Sequence, residues 1–295
     1  MITERFAPSP TGLLHLGHAW SAWLGWTRAQ SAGGRFLLRM EDLDKSRIRP
    51  EFYTAIQRDL DWLGIFWDGD ILCQSTRHAA YAQALARLDK LGLTYRCTCT
   101  RRDIQDAISA PQEGSAPRSG PDGLVYPGTC RTRGHGRDEP HAIRLDISRA
   151  LEALTTRDRD PKLVFDETGQ GPGGEHGEIA LVPHDLIDGT GDIVLARRDS
   201  APAYHLAVVV DDAHQGVTHV TRGQDLFSAT PVQRLLQGLL GLPAPVYHHH
   251  SLVRDETGRR LAKRDDARSI QTCREAGLSP TDVLELARAT ARARD

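Results

Sequence analysis

Short apolar runs alternate with longer amphipathic stretches in the first third of the chain. The runs at residues 2–7 and 35–40 predict strands, because they are apolar and too short for helices. Amphipathic stretches predict helices over 16–31, from Pro50 to about Gly64, and over 77–91, and glycine marks the end of each. Alternating strands and helices of this kind are typical of an α/β domain built on a parallel sheet.

The alternation stops near residue 97 and returns near residue 190. A segment rich in Pro, Gly and Ser, residues 109–123, predicts a surface loop inside this interval. We therefore predict four parts: a first α/β half (1–96), an inserted subdomain (97–190), a second α/β half (191–268) and a short helical tail (269–295).

Composition narrows the class of protein. A chain of 295 residues with 39% hydrophobic and 26% charged residues is typical of soluble globular proteins. The sequence has no apolar run of membrane-spanning length and no basic and apolar leader, so we expect a cytoplasmic protein without a membrane partner. The odd number of cysteines, 5, favours reduced thiols over a disulfide framework.

Charge leaves the question of a nucleic-acid partner open. The net charge of -2 neither demands nor excludes one, because binding needs only a local basic surface. Basic clusters lie at 101–102, 131–137, 197–198 and 254–268. Each of them fits a solvated face as well as a binding surface.

The stretch RFAPSPTGLLHLGHAW, residues 5–20, carries the strongest chemical signal. A strand that runs into a Gly-containing turn and then a helix directs backbone N–H groups and the positive end of the helix dipole at one point. His15 and His18 are three residues apart in the first turn, so their rings lie on one side and can both donate to phosphate oxygens. An isolated H-x-x-H would be read as two surface histidines, but the strand and the PSPTG turn before it favour a nucleotide-phosphate site.

This stretch resembles the signature of class I aminoacyl-tRNA synthetases, and its surroundings are similar to the glutamyl branch of that family. The resemblance implies a Rossmann-like catalytic domain, and electrostatic stabilisation of the charge that moves onto pyrophosphate as the main catalytic effect. It also implies a glutamate and adenylate site lined by Arg5, Phe6, Ala7, Pro8, Ser9 and Glu41, with ATP contacts from His15, Gly17 and His18.

Two later stretches extend the resemblance. RRLAKRDDA, residues 259–267, resembles the lysine loop of the same class, which implies that Lys263 holds the ATP phosphates in the transition state. Ala262 and Arg264 depart from the usual serines of that loop. The stretch 203–226 resembles the segment that completes the amino-acid pocket, with Tyr204 contacting glutamate and Arg222 pairing with one of its carboxylates. Ordinary core packing of Tyr204, and an ion pair of Arg222 with Asp212 or Asp225, remain alternatives.

The cysteine spacing adds a metal hypothesis. Cys97, Cys99 and Cys130, together with Tyr126, offer three thiolates and one oxygen, which can close a tetrahedral Zn²⁺ site in the inserted, acceptor-type subdomain. Three reduced thiols without metal are the alternative. We interpret Cys73 and Cys273 as small packing residues.

Only about 30 residues follow the lysine loop, too few for an anticodon-binding domain of ordinary size. The chain therefore resembles stand-alone catalytic relatives of glutamyl-tRNA synthetase. That resemblance implies a monomeric ligase that activates L-glutamate with ATP and Mg²⁺. It further implies transfer of the glutamyl group to queuosine in the anticodon stem-loop of tRNA(Asp).

Three other functions remain open from the sequence. They are charging of a tRNA 3′ end by a minimal glutamyl-tRNA synthetase, a small-molecule adenylate-forming ligase, and a non-catalytic RNA-binding relative. The run His248-His249-His250 is also open: it either approaches adenine or lies on the surface by chance, and we favour the surface.

Overall fold

A computed structural model describes residues 1–109, 119–133, 139–157, 163–253 and 269–292. Strands are β1 Thr3–Phe6, β2 Arg35–Met40, β3 Leu72–Cys73, β4 Thr94–Cys97, β5 Ser119–Gly120, β6 Gly123–Leu124, β7 Ala142–Leu145, β8 Val164–Glu167, β9 Gly177–Ala180, β10 Val194–Ala196, β11 His219–Gly223 and β12 Val246–His250. Helices are α1 Leu16–Ser31, α2 Pro50–Trp62, α3 His78–Lys90, α4 Arg101–Ser109, α5 Ile147–Arg157, α6 Tyr204–His214, α7 Thr230–Leu240, α8 Ile270–Glu275 and α9 Pro280–Arg292. Short 3-10 turns lie at Gln74–Thr76 and Gln224–Ala229, and a π-helical turn lies at Asp185–Thr190.

The first half of the chain forms a parallel sheet in the order β1-β2-β3. Helix α1 connects β1 to β2, and it ends where the chain must return tightly to the sheet. At that return, a Cβ on Gly34 would lie 2.3 Å from the carbonyl oxygen of Ile2, so only glycine fits there. The strands and helices predicted for this half are confirmed, and α1 covers the same residues as the amphipathic pattern.

The second half forms a sheet in the order β11-β12-β8-β9, in which only β9 runs antiparallel to its neighbour. Strand β1 lies beside β11: the backbone N–H of Thr218 donates to the carbonyl of Thr3 at 2.9 Å. The amino ends of the two strands meet at this contact, and the residues that follow β1 and β11 line one cavity at the carboxyl ends. Crevices at such strand ends are where open α/β sheets bind ligands.

The region between the halves contributes a separate antiparallel sheet in the order β10-β7-β4. Strands β8 and β9 also lie within 97–190, but they join the sheet of the second half. The divisions after residues 96, 190 and 268 remain predictions.

Two large apolar cores lie within the described residues. One lies under the second half and is built from α3, α5, α6 and α7 against the sheet. The other surrounds α1, where Val283 and Ala287 of α9 are fully buried with Leu16 and Ala19. The tail is thus a packed helix on the first half, as its apolar period requires. In the ranges described, no helix combines the length and hydropathy needed to cross a membrane.

Candidate active site

A cavity of about 420 Å³ lies at the carboxyl ends of β1 and β11, beside the first turn of α1. Its wall contains all the described residues that the sequence predicted for glutamate and ATP: Arg5, Phe6, Ala7, Pro8, Ser9, His15, Gly17, His18, Glu41, Tyr204 and Arg222. Residues more than 200 positions apart in the chain are brought together by the pairing of the two halves. Lys263 lies outside the described residues.

The two histidines form the cap of α1 as well as part of the cavity wall. His15 is the N-cap residue, and its Nδ1 accepts the backbone N–H of Gly17 at 3.1 Å. The Nδ1 atom of His18 accepts the backbone N–H of His15 at 3.2 Å. Because a neutral imidazole carries one proton, both rings then present Nε2–H as a donor. Their ring centroids are 3.8 Å apart, so the two imidazoles lie against each other.

A buried ion network adjoins the cavity through Arg5 and Glu41. Asp212 accepts from the Nε of Arg5 at 3.3 Å and from Nη1 of Arg39 at 2.7 Å through the same oxygen. Arg39 is fully buried, and its Nη2 lies 3.5 Å from Glu41. Neither Arg39 nor Asp212 was named as a site residue from the sequence, although RFLLRMED places an arginine on an apolar strand, which is an unusual position for a charge.

The network sets the charge states of its carboxyl groups. Burial raises the pKa of Glu41 against the opposing effect of Arg39 and Arg5. Burial also acts to raise the pKa of Asp212, but Arg39 and Arg5 outweigh it and hold that pKa below the ordinary value. Asp212 is therefore the fixed counter-charge of the two arginines. Glu41 is a half-buried acceptor, and a cationic ligand group would favour its charged form.

Arg222 is buried in the cavity wall and is held by neutral acceptors. Its Nη1 donates to Gln233 at 2.9 Å, its Nη2 to Thr230 at 2.7 Å, and its Nε to the Nε2 of His249 at 3.0 Å. The ion pairs of Asp212 go to Arg5 and Arg39 instead. Uncharged acceptors leave the positive charge of Arg222 available to an anionic ligand.

The expectation that the histidine run lies on the surface is wrong. The run is the end of β12, where His249 is buried and His250 is 9% exposed. His250 lines the cavity, and its Nε2 lies 2.6 Å from the hydroxyl of Ser21. Burial lowers the pKa of His250 to about 4. Nothing in the sequence indicated this burial, because polar side chains on a central strand show no apolar pattern.

The cavity also contains residues that the sequence reasoning missed. They are Ser21, Thr221, Gly223, Asp225, Leu226, His250, Leu252 and Val253. All but Ser21 lie in or just after β11 or β12, so the signal that could have identified them is their position at the end of a strand of a parallel sheet.

A second cluster lies in the inserted region. The Sγ atoms of Cys97, Cys99 and Cys130 lie within 4.8 Å of one another. The hydroxyl of Tyr126 lies 3.4 Å from the Sγ of Cys99 and accepts the backbone N–H of Cys130 at 2.9 Å. Burial raises the pKa of Cys99 to about 11, so this thiol ionises only with help from a nearby cation.

The spacing of the three sulfur atoms is compatible with a bound zinc ion. Zn–S bonds of about 2.3 Å in a tetrahedron require sulfur atoms roughly 3.8 Å apart. Sulfur separations of at most 4.8 Å therefore suit three thiolate ligands of one ion. The hydroxyl oxygen of Tyr126 lies beside the same sulfur atoms and can serve as the fourth ligand. The remaining cysteines lie elsewhere: Cys273 is buried and Cys73 is half-buried, both against the α1 core.

This chain resembles known proteins of one family. Residues 1–290 match the family described as tRNA synthetases class I (E and Q), catalytic domain. A glutamyl-Q tRNA(Asp) synthetase from Rhodobacter capsulatus is 53% identical over 286 residues, which are 97% of this chain and 99% of that protein. A glutamyl-Q tRNA(Asp) synthetase from Nocardia farcinica is 45% identical, over 96% of this chain and 82% of that protein.

A solved structure shows the same architecture. The glutamate-tRNA synthetase of Elizabethkingia anophelis superposes with a TM-score of 0.69 at 25% identity, covering 90% of this chain and 53% of that one. This chain therefore spans about half the length of that synthetase. The predicted Rossmann-like class I fold is confirmed.

Proposed function

Because this chain belongs to the family of class I tRNA synthetases for glutamate and glutamine, we propose that it activates L-glutamate with ATP and transfers the glutamyl group to queuosine in tRNA(Asp). The observation that carries the first step is the charge of the cavity. The guanidinium groups of Arg5 and Arg222 and the carboxyl groups of Glu41 and Asp225 line it, and neutral acceptors hold Arg222 there. Glutamate carries two carboxylates and one ammonium group, and a wall that contains both guanidinium and carboxyl groups offers a counter-charge to each kind.

Each end of glutamate has a partner under this proposal. Arg222 binds one carboxylate, because its charge is held by neutral neighbours. Glu41 accepts from the ammonium group, and the arriving cation favours the charged form of this carboxyl. Tyr204 and Arg5 line the same wall and complete the contacts. A buried arginine rejects the uncharged side chain of glutamine, because its own charge would then lack a partner.

The phosphates of ATP lie at the start of α1. His15 and His18 present two Nε2–H donors there, next to the positive end of the helix dipole. A carboxylate oxygen of glutamate attacks the α-phosphorus, and the bond to pyrophosphate breaks, giving glutamyl-adenylate. Lys263, from the loop outside the described residues, is proposed to follow the departing pyrophosphate. Mg²⁺ enters with ATP as part of the substrate.

The acceptor half of the proposal is supported by the relatives. Both relatives named above are glutamyl-Q tRNA(Asp) synthetases, and the match to the first covers nearly the whole length of both proteins. A hydroxyl of the queuosine cyclopentenediol attacks the acyl carbonyl of the adenylate. The acyl–phosphate bond breaks, AMP leaves, and the hydroxyl proton is released.

We also propose one structural Zn²⁺ ion held by Cys97, Cys99, Cys130 and Tyr126. Three thiolates of this spacing form a closed site, and the metal supplies a clamp between β4 and the segment that carries Cys130. A bound cation also lowers the thiol pKa values that burial raises.

The test is transfer of labelled glutamate, with ATP and Mg²⁺, to tRNA(Asp) that contains queuosine. The matched control is the same tRNA from cells that lack queuosine, followed by nuclease digestion to locate the label. We expect label on the anticodon fragment of the queuosine-containing tRNA alone. Label on the 3′ adenosine would make this chain a minimal glutamyl-tRNA synthetase. Glutamate-dependent ATP–pyrophosphate exchange without any labelled RNA would indicate a small-molecule acceptor.

A further inference from the structure

Arg222 is connected to a buried carboxylate that lies behind the cavity wall. The Nε of Arg222 donates to Nε2 of His249, and the Nδ1 of His249 lies 2.5 Å from Oε2 of Glu167. The side chains of His249 and Glu167 are 0% exposed. Among the described residues that line the cavity, neither of the two occurs, so they do not touch a bound ligand directly.

The direction of these hydrogen bonds fixes the protonation of His249. A guanidinium N–H can only donate, so Nε2 of His249 must be an acceptor and its proton must lie on Nδ1. That proton then points at Glu167, which accepts it. The hydroxyl of Thr230 lies 3.4 Å from the same Nε2 and accepts from Nη2 of Arg222, so it agrees with this arrangement.

Burial supports a neutral ring. It lowers the pKa of His249, although the hydrogen bond to Glu167 acts to raise it. Burial likewise acts to raise the pKa of Glu167, but the hydrogen bonds from His249 outweigh it and lower that pKa below its ordinary value. The pair is therefore a carboxylate and a neutral imidazole with one defined tautomer.

Glu167 is itself fixed by the backbone. Its Oε1 accepts the backbone N–H of His249 at 2.8 Å and that of Gly169 at 2.8 Å. Strand β8 and strand β12 are pressed together here, since a Cβ on Gly169 would lie 2.1 Å from the carbonyl oxygen of His249. Only Oε2 is left to face the imidazole.

We propose that Glu167 and His249 are positioning residues for glutamate recognition, which hold Arg222 in the orientation that binds a substrate carboxylate. The role rests on the proposed function, in which Arg222 pairs with glutamate. Arg222 needs a directional acceptor at Nε, because only a fixed guanidinium plane meets a carboxylate in the two-pronged manner. A neutral histidine provides that acceptor without cancelling the positive charge, and Glu167 selects the tautomer.

The substitution Glu167→Gln tests this chain of contacts. The two backbone N–H groups hold the amide oxygen of glutamine in place of Oε1, so its NH₂ group faces Nδ1 of His249. His249 must then accept at Nδ1 and carry its proton on Nε2, where it meets the N–H of Arg222. Two donors that face each other push the guanidinium away. We expect the KM for glutamate to rise by about tenfold or more, the size expected for a lost hydrogen bond to a charged group.

The matched control is Asp166→Asn, which makes the same chemical change on the exposed side of β8. The assay is ATP–pyrophosphate exchange, with separate KM values for glutamate and for ATP. A rise confined to glutamate in Glu167→Gln, with the control unchanged, supports the proposal. An unchanged KM for glutamate, or an equal rise for ATP, overturns it. Absence of glutamate-dependent exchange in the unaltered protein would instead refute the proposed function.

A second measurement needs no variant and no substrate. Nitrogen NMR of the histidine rings, assigned through ring-to-backbone correlations in labelled protein, reports which nitrogen of His249 carries the proton. We expect a neutral ring protonated at Nδ1 at neutral pH. A ring protonated at Nε2, or at both nitrogens, would show that Arg222 cannot donate to it and would overturn the proposal, whatever the activity of the enzyme.

Discussion

The change Asp212→Asn removes the negative charge on which two buried arginines depend. Asp212 and Arg39 have side-chain exposures of 8% and 0%, and the two atoms in contact are 2.7 Å apart. Arg5, at 6% exposure, shares the same oxygen. Asparagine keeps the shape and one acceptor oxygen, so the perturbation is almost purely electrostatic.

The expected loss of stability can be estimated from this geometry. Removing one partner of a buried ion pair costs roughly 3–5 kcal/mol. One feature favours the lower end: the amide oxygen of asparagine still accepts hydrogen bonds from the two arginines. We therefore expect the free energy of unfolding to fall by about 3 kcal/mol at neutral pH.

The control is Asp199→Asn, which makes the same chemical change in an ion pair at the surface. Asp199 lies 3.4 Å from Arg197, with side-chain exposures of 66% and 38%. Exposed pairs contribute about 0–1 kcal/mol, because solvent screens them. Urea unfolding of the three proteins, followed by circular dichroism, measures the difference. A loss in Asp212→Asn no larger than the loss in the control would refute the reasoning from burial.

The pH dependence gives a second check of the same substitution. The pKa of folded Asp212 lies below its ordinary value, because Arg39 and Arg5 outweigh the effect of burial. Its contribution is therefore complete above the unfolded pKa of about 3.9 and disappears as the pH falls through the folded pKa. The stabilities of the original protein and Asp212→Asn should converge in acid. A difference that stays constant below that range would contradict the charge explanation.

Three further predictions concern other parts of the chain. Lys263→Ala should slow glutamate-dependent ATP–pyrophosphate exchange by about a hundredfold without lowering the melting temperature, and normal exchange would remove the lysine from the mechanism. Cys130→Ser should release the metal, so that elemental analysis finds zinc in the original protein and little in the variant. Gly34→Ala should lower the melting temperature, because its Cβ would meet Ile2, whereas Gly189→Ala, with no atom within 4 Å of its Cβ, should not.

Much of the fold and part of the site could be predicted from the sequence, because the signals involved are local. The amphipathic period and the flanking residues predicted α1 and α9 to within a few residues. The H-x-G-H motif located the first turn of α1, where the two histidines lie. The predicted cavity residues are close in sequence to strand ends or helix starts. Such positions follow from chain direction alone in a parallel sheet.

Only the tertiary structure decided how the charges are paired. Asp212 contacts Arg5 and Arg39 across more than 170 positions of sequence, and Glu167 contacts His249 across 82. Hydrophobic periodicity assigns a residue to a face of its own helix or strand, but it contains no information about which distant polar group will share that face. Asp212 is on α6 of the second half and its two arginines are on β1 and β2 of the first, so these partners meet only where the two halves pack together. Glu167 and His249 meet through the pairing of β8 with β12. Burial then makes each partnership obligatory, because an unpaired charge there is costly.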